Sequence, residues 1–217
     1  MKKGDISNLL RRFGLIYFTD WLRFYHQKYK NIQINSTFKK KHPDVKLPSD
    51  YLMYESFQIN YYKYYNGGLD MAKWLTDHFK KHIDLKDKRV LDWGCGPGRI
   101  IRHLPAVMNN NCAFFGTDYN ENSIAWCSKN LPEIQFNKNE LTAKLPYNTD
   151  AMDVIYGISI FTHLSEQMHY DWFNELHRVL KPGGIMLLST QGDNFKLKLT
   201  EPEVFQYNKG EIVVRGN

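Results

Sequence analysis

Short apolar runs alternate with amphipathic stretches along the chain from Val90 onward. Five runs have the length and apolar character of strands, and the segments between them carry apolar residues at helical spacing. The predicted strands are RVLDW (89–93), CAFFGTD (112–118), IQFNKN (134–139), AMDVIYGISIF (151–161) and IMLLST (185–190). The fourth is apolar on both faces, as a central parallel strand is. This alternation predicts an α/β fold with a doubly wound, mainly parallel sheet.

Three helices are predicted between these strands. They are RIIRHLPAVM (99–108), which Pro105 weakens, NENSIAWCSKNL (120–131) and SEQMHYDWFNELHRVL (165–180). In the third, Ser165 is placed to cap the N-terminus, and the KPGG that follows ends the helix. Its apolar residues form one stripe for the core: Met168, Trp172, Leu176, Val179 and Leu180.

The N-terminal part of the chain follows a different pattern. Residues 5–30 predict a helix with an apolar stripe rich in aromatic residues, and residues 31–50 predict a linker because they hold two prolines and a lysine cluster. Residues 51–84 predict one or two helices with a break at Gly67–Gly68.

The C-terminal part predicts an incomplete sheet. Residues 194–207 have the character of a helix and GEIVVRG (210–216) that of a sixth strand, with nothing left for a seventh. An uncovered sheet edge invites pairing with another strand. We therefore expect that the sequence is a truncated form of a longer chain.

Charge is distributed unevenly. Residues 1–50 hold 11 Lys and Arg against 4 Asp and Glu, whereas residues 51–217 hold 18 against 19. The net charge of +6 therefore belongs to the N-terminal quarter, and the rest is nearly neutral.

Size, composition and cysteines exclude several classes of protein. The 217 residues are 42% hydrophobic, which excludes disorder of the whole chain. No apolar run approaches the ~18 residues of a membrane span, and MKKGDISNLL lacks the apolar region of a signal peptide. Cys95, Cys112 and Cys127 are odd in number and lack ligand spacing. They predict a reducing, cytoplasmic location without disulfides or zinc.

Three glycines follow the first strand directly. Gly94, Gly96 and Gly98 lie where the backbone of a parallel sheet turns towards a ligand. A dinucleotide site has the spacing G-x-G-x-x-G, and a P-loop needs a following G-K-[ST]. Here the spacing is G-x-G-x-G and Asp92 precedes it, which disfavours a pyrophosphate and suits an ammonium group.

The stretch VLDWGCGPGR resembles the first motif of class I S-adenosylmethionine-dependent methyltransferases, [DE]-x-G-x-G-x-G. The resemblance continues in order over most of residues 88–190. SIFTHLSE followed by RVLKPGG resembles methyltransferases that act on small metabolites, sugars, lipids and secondary metabolites, without choosing among them. Three further segments carry it: FFGTDYN, LPYNTDAMDVIYGISIFTHL and ELHRVLKPGGIMLLST. It implies a cofactor-binding domain over residues 51–217, with residues 51–84 as lid helices, and a basic helical extension over residues 1–50.

The resemblance also implies roles for single residues in binding S-adenosylmethionine, which leaves as S-adenosylhomocysteine. Asp92 would hold the amino group, directly or through water, and Asp118 would accept hydrogen bonds from both ribose hydroxyls. Tyr119 would pack against the adenosine. The remaining residues implied in the cofactor site are Gly94, Cys95, Gly96, Gly98, Glu140, Leu141 and Ser159, of which Glu140 and Leu141 would border the adenine.

The end of the fourth strand, GISIFTHLSE, lacks the motifs of amino-methylating and cytosine-methylating nucleic-acid enzymes, and it has no acidic cluster for Mg²⁺. His163 is the titratable residue there, either as a general base or as a structural residue of the turn. We expect metal-independent methyl transfer to an oxygen, in preference to a nitrogen, of a small molecule or glycoconjugate. Nucleic acid is disfavoured as the acceptor.

Other functions remain open at this stage. A methyltransferase-like scaffold without catalysis fits the missing last strand, and an NAD-dependent oxidoreductase fits the fold but not the glycine spacing. The basic N-terminal helix could pack on the domain or form a homo-oligomer contact, lie on an anionic membrane surface, or contact RNA.

Overall fold

The computed structural model describes residues 16–213. The chain divides into two compact units, Met1–Met71 and Ala72–Asn217, and each is described by itself. The functional division at residue 50 that the sequence suggests stays a prediction. Between residues 16 and 213, no helix combines the length and the apolarity that crossing a bilayer requires.

The second unit contains a parallel sheet of five strands. They are β1 (Arg89–Trp93), β2 (Ala113–Asp118), β3 (Gln135–Lys138), β4 (Met152–Gly157) and β5 (Leu180–Leu188). Their order in the sheet is β3-β2-β1-β4-β5, and every neighbouring pair is parallel. Every residue of β4 is buried, as its apolar sequence predicts. The predicted doubly wound α/β fold is confirmed.

The helices of the unit are shorter than the sequence suggests. After the helix Tyr61–Phe79 (α4), they are α5 (Leu104–Met108), α6 (Glu121–Asn130), α7 (Glu166–Val179) and α8 (Glu201–Asn208). The first predicted helix is reduced to a 3-10 turn, Ile101–His103, followed by α5, because Pro105 fits only the first turn of a helix. The helix predicted over residues 194–207 is a 3-10 segment, Asp193–Lys198, followed by α8.

Helix α7 attaches the predicted apolar stripe to the sheet. Ser165 caps it, with its Oγ accepting from the Met168 N–H at 3.4 Å, as the sequence predicts. The core it joins consists of Leu91, Trp93, Phe115, Leu145, Met152, Ile155, Phe161, Trp172, Leu176 and Val179. The stripe residues Met168 and Leu180 are partly buried against this core.

The first unit is helical. Its helices are α1 (Ile16–Lys30), α2 (Ile32–Lys41), α3 (Asp50–Ser56) and α4 (Tyr61–Phe79), and the boundary between the units falls within α4. They surround a core of Phe38, Met53, Ile59, Tyr61 and Tyr64. Residues 5–15 of the predicted first helix lie outside the described residues.

Two predictions for this region are wrong. A helix occupies Ile32–Lys41 where the sequence suggests a linker, because Phe38 is buried and Asn35 bonds the segment to the chain near Ile59. The Asn35 Nδ2–H donates to the Ile59 carbonyl at 3.4 Å, and its Oδ1 accepts from the Tyr61 N–H at 2.9 Å. Gly67–Gly68 does not break a helix either, since α4 continues through both.

The sixth strand is not formed by the residues that the structure describes. Glu211 to Val213 have no regular structure, and residues 214–216 of the predicted strand lie outside the described part of the chain.

Candidate functional site

The candidate site lies at the carboxyl ends of β1, β2, β3 and β4. In the strand order β3-β2-β1-β4-β5, the chain moves outward from β1 in both directions, so β1 and β4 flank the topological switch point. In open parallel sheets ligands bind at that point. The glycine turn follows β1, and Asp118 ends β2.

The glycine turn has the backbone that its sequence predicts. Gly94, Gly96 and Gly98 have φ angles of +78°, +51° and +77°, a region that other residues rarely adopt. A Cβ atom at Gly94 would also overlap the side chain of Ile160, which follows β4. The Gly94 N–H donates to the Thr117 carbonyl at 2.8 Å, so the turn is tied to the end of β2.

Asp118 is buried and bound to this turn. Its Oδ2 accepts from the Gly96 N–H and its Oδ1 from the Asn120 N–H, each at 2.8 Å. Burial raises the pKa of this carboxyl, while the backbone hydrogen bonds lower it. Each carboxylate oxygen can accept more than one hydrogen bond. Asp118 therefore braces the turn and keeps acceptor capacity for a ligand.

Asp92 is buried as well and has a partner that sequence reasoning missed. The Tyr156 Oη–H donates to Asp92 Oδ2 at 2.7 Å, and the two residues lie opposite each other on β1 and β4. Burial raises the pKa of Asp92 to about 7, although the bond from Tyr156 and the charge of Arg99 oppose the rise. The signal in the sequence is a tyrosine within the otherwise apolar run VIYGI.

Cys95 places its side chain beneath the turn. It is buried, and its thiol lies 3.4 Å from the Gly96 carbonyl oxygen, to which the buried Cys127 thiol comes within 3.6 Å. Burial raises the pKa of both thiols, so both are protonated at neutral pH. Their role here is packing and hydrogen bonding.

At the end of β3, the buried residue is Asn139, whereas the predicted site residues Glu140 and Leu141 are exposed. The Glu140 side chain is 75% exposed and pairs with Lys138 at 3.5 Å, and Leu141 is exposed too. Asn139 is buried: its N–H donates to the Asp118 carbonyl at 3.1 Å and its Nδ2–H to the Glu140 carbonyl at 2.8 Å. Its buried Oδ1 has no partner among residues 16–213. Its position next to Glu140 was the only signal in the sequence.

The residues after β4 form an exposed turn. Ser159 has a φ of +66°, which is strained for a residue with a side chain, and its N–H donates to Ser189 Oγ at 2.7 Å. His163 ends the 3-10 turn Phe161–His163 and is exposed. Tyr119, after β2, is also exposed. Hydrogen bonds join Asp118 to Gly96 directly, whereas Ser159 and His163 share with them only the edge of the sheet.

Among the described residues, no group of three or more His, Cys, Asp or Glu side chains could hold a metal ion. The polar groups of the site are carboxyl, amide and backbone groups, which suit an organic ligand carrying an ammonium group, hydroxyls and hydrogen-bond donors.

Comparisons with known proteins agree with this site. A family profile described as "Methyltransferase domain" matches residues 90–184. The phthiotriol/phenolphthiotriol dimycocerosates methyltransferase 1 of Mycobacterium ulcerans is 30% identical over 111 residues, which cover 49% of this chain and 38% of that protein. The tRNA (carboxymethyluridine(34)-5-O)-methyltransferase of Arabidopsis thaliana is 33% identical over 101 residues, covering 46% and 23%. The chain thus spans less than two fifths of either relative.

A solved structure extends the likeness to the fold. The crystal structure of an S-adenosylmethionine-dependent methyltransferase from Aquifex aeolicus superposes with a TM-score of 0.51 at 19% identity. The superposition covers 78% of this chain and 92% of that one. The profile thus matches residues 90–184 to a methyltransferase domain, and the superposition shows that the chain has the fold of class I S-adenosylmethionine-dependent methyltransferases.

Proposed function

We propose that this protein transfers a methyl group from S-adenosylmethionine to an oxygen, in preference to a nitrogen, of a small molecule or glycoconjugate, without a metal. The observation that supports this most is the meeting of two buried carboxyl groups at one glycine turn. Asp92 precedes the turn, and Asp118 accepts a hydrogen bond from Gly96 within it.

The residues present fit the methyl donor. Asp92 faces its ammonium group, Asp118 accepts from its ribose hydroxyls, and the unpartnered Oδ1 of Asn139 accepts from the 6-amino group of its adenine. We keep Tyr119, Cys95 and Ser159 as contacts of the donor. Glu140 and Leu141 form the exposed rim of the adenine site.

The donor, once bound, supplies a methyl group already activated by its sulfonium. The protein then has to align the acceptor oxygen and remove its proton. We assign the proton transfer to His163, which lies on the turn after β4 and is exposed to an incoming acceptor. Histidine is the side chain that most often acts as a general base in enzymes.

The acceptor class rests on the relatives. One is named for phthiotriol and phenolphthiotriol dimycocerosates, and the other for 5-O-methylation of carboxymethyluridine in tRNA. The second name supports an oxygen acceptor, and it also makes tRNA the alternative to a small molecule. Incubation with radiolabelled S-adenosylmethionine and fractionated cell extract separates the two. Label in the small-molecule or lipid fraction supports the proposal, and label confined to RNA contradicts it.

A cytoplasmic location is part of the proposal. Its support is the three cysteines, all free thiols, which fit a reducing compartment.

A non-catalytic scaffold that only binds the donor is the alternative function. We predict that His163→Gln lowers the methyl-transfer rate by about 10²- to 10⁴-fold, the usual contribution of a general base. The affinity for S-adenosylhomocysteine should stay unchanged. His82→Gln, at another exposed histidine, serves as the control and should retain full activity. An unchanged rate in His163→Gln would exclude this residue as the base, and the absence of transfer to any fraction would favour the scaffold.

A further inference from the structure

Helix α1 carries a row of aromatic rings along one side. Phe18, Trp21, Tyr25 and Tyr29 follow each other with ring centroids 6.1, 4.6 and 6.1 Å apart. Residues three and four apart lie on the same side of a helix, so the row extends along nearly the whole of α1. We call these four residues, with Leu22 beside them, the aromatic face.

A different side of α1 packs into the first unit. The Tyr54 Oη–H donates to Asp20 Oδ1 at 2.6 Å, and the ring of Phe24 meets that of Tyr54 edge to face. One turn further on, Gln27 Oε1 accepts from the Ile59 N–H at 3.1 Å. These contacts fix the rotation of the helix about its axis, and they leave the aromatic face outside the packed side.

Exposed apolar side chains are concentrated here. Seven of the eighteen exposed large hydrophobic residues among residues 16–213 fall between Tyr17 and Ile34. Within the aromatic face, Phe18 is 56%, Trp21 54% and Tyr29 65% exposed. Ile32 and Ile34 on α2 are exposed as well. A concentration of exposed apolar side chains of this kind marks an interaction site.

The charge of the same segment is positive. Residues 16–50 contain seven Lys and Arg against three Asp. Lys28 is paired with Asp50 at 3.1 Å, but Arg23 and Lys30 on α1 and residues 39–41 on α2 carry exposed cationic side chains. An exposed aromatic surface on a segment of net positive charge is complementary to a surface that is apolar inside and anionic at its boundary.

We propose that the aromatic face of α1 docks on an anionic lipid bilayer, with its rings in the interface and the neighbouring cationic side chains at the lipid headgroups. Tyrosine and tryptophan favour this depth because each combines an apolar ring with a polar group. The exposed aliphatic side chains of Leu22, Ile32 and Ile34 would contact the lipid acyl chains.

Two other partners fit the surface less well. A single-stranded RNA would stack its bases on free ring faces, but the rings of Phe18 and Trp21 lie within 14° of parallel to each other, and those of Tyr25 and Tyr29 within 27°. One side of each ring therefore has a neighbouring ring beside it, which leaves less separate ring surface for successive bases. A second copy of the chain, in a two-fold interface, would bring the same cationic side chains together.

The test is flotation of the full chain with vesicles of phosphatidylcholine alone and of phosphatidylcholine with phosphatidylglycerol. We expect binding to the anionic vesicles, weak binding to the neutral ones and loss of binding at high salt. Phe18→Gln/Trp21→Gln should lower the partition coefficient by about tenfold or more, because burying one large apolar side chain is worth about that factor.

Tyr170→Gln/Phe173→Gln is the matched control, since it removes two exposed aromatic residues at the same spacing from α7. It should bind like the unmodified protein, and far-UV circular dichroism of both variants should show intact helices. Equal binding by the two double variants overturns the proposal. So does binding to RNA but not to anionic vesicles, or a dimer that Phe18→Gln/Trp21→Gln dissociates. The proposal is independent of the methyl-transfer reaction.

Discussion

Two aspartates at neighbouring strand ends have different tasks because they have different partners. Asp118 accepts backbone hydrogen bonds from Gly96 and Asn120 and thereby holds the glycine turn. Asp92 is opposite Tyr156 within the sheet, and its carboxyl accepts the tyrosine hydroxyl. Sequence spacing was sufficient to find both acids. It could not find Tyr156, since the partner of a buried acid depends on strand register.

The raised pKa of Asp92 makes donor binding depend on pH. An ammonium group favours the ionised carboxyl, and burial holds the pKa of that carboxyl at about 7. The affinity for S-adenosylhomocysteine should therefore rise about tenfold per pH unit below 7 and level off above it. Calorimetry between pH 5.5 and 8.5 measures this. Tyr156→Phe should shift the curve to higher pH, and Asp92→Asn should flatten it; a flat curve for the unmodified protein contradicts the assignment.

The same raised pKa has a consequence for folding. Between about pH 4 and 7, Asp92 is protonated in the folded protein but ionised in the unfolded chain. The free energy of unfolding therefore falls as pH rises through this window, because the folded state holds the proton that the unfolded state releases.

Asn139 and Glu140 offer a paired test of the adenine site. We expect Asn139→Ala to weaken S-adenosylhomocysteine binding by about tenfold, the worth of one buried hydrogen bond. Glu140→Ala should change it little, because that side chain is exposed and pairs only with Lys138 in the described structure. Calorimetry measures both affinities. If the two variants lose the same affinity for S-adenosylhomocysteine, Glu140 contacts the adenine as well and the assignment to Asn139 alone is wrong.

At the scale of elements, apolar periodicity was sufficient wherever packing on the sheet decides the structure. All five strands and α7 form where the pattern predicts them, because buried stripes such as Trp172, Leu176 and Val179 dictate it. The bounds of β5 differ: it is Leu180–Leu188 where the sequence predicts 185–190, so it includes the KPGG that was expected to separate helix and strand. Helix α2 was missed because its stability comes from Asn35, whose partners Ile59 and Tyr61 lie more than twenty residues away. No local pattern reports such a bond.

Hydrogen bonds of Glu175 and Arg178 tie α7 to the loop that leads into β4. Glu175 Oε1 accepts from the Leu145 N–H at 2.6 Å and from Arg178 at 2.7 Å. Although burial opposes it, these hydrogen bonds lower the pKa of the Glu175 carboxyl. The contribution of Glu175 to the free energy of unfolding is therefore fully present above the ordinary pKa of a glutamate. It is lost as pH falls through the lowered pKa of the folded protein.

We predict that Glu175→Ala lowers the free energy of unfolding by about 1–3 kcal/mol at pH 7, because a buried N–H loses its acceptor. Asp171→Ala, at an exposed position of the same helix, should change it by less than about 0.5 kcal/mol. Urea unfolding checks both, and the difference between them should shrink below pH 4. Equal effects at pH 7 would show that the Leu145 bond contributes nothing.

At the scale of the whole molecule, chemistry and charge are separated along the chain. The parallel sheet brings the ends of β1, β2, β3 and β4 to one edge, where the candidate site residues lie. The positive charge and the aromatic face belong to the N-terminal unit. The sheet and its glycine turn could be predicted because the motif and the strand pattern are local. The methyl acceptor could not be predicted, since no residue pattern after β4 is specific to one substrate.

Titration calorimetry with S-adenosylhomocysteine tests the central claim most directly. We predict that one molecule binds per chain at micromolar concentration. Asp118→Ala should weaken it by at least about tenfold, because the variant loses both the ribose acceptor and the bond that braces Gly96. The exposed Asp171→Ala serves as the control and should bind like the unmodified protein. A folded protein that shows no binding at tens of micromolar ligand would contradict the account.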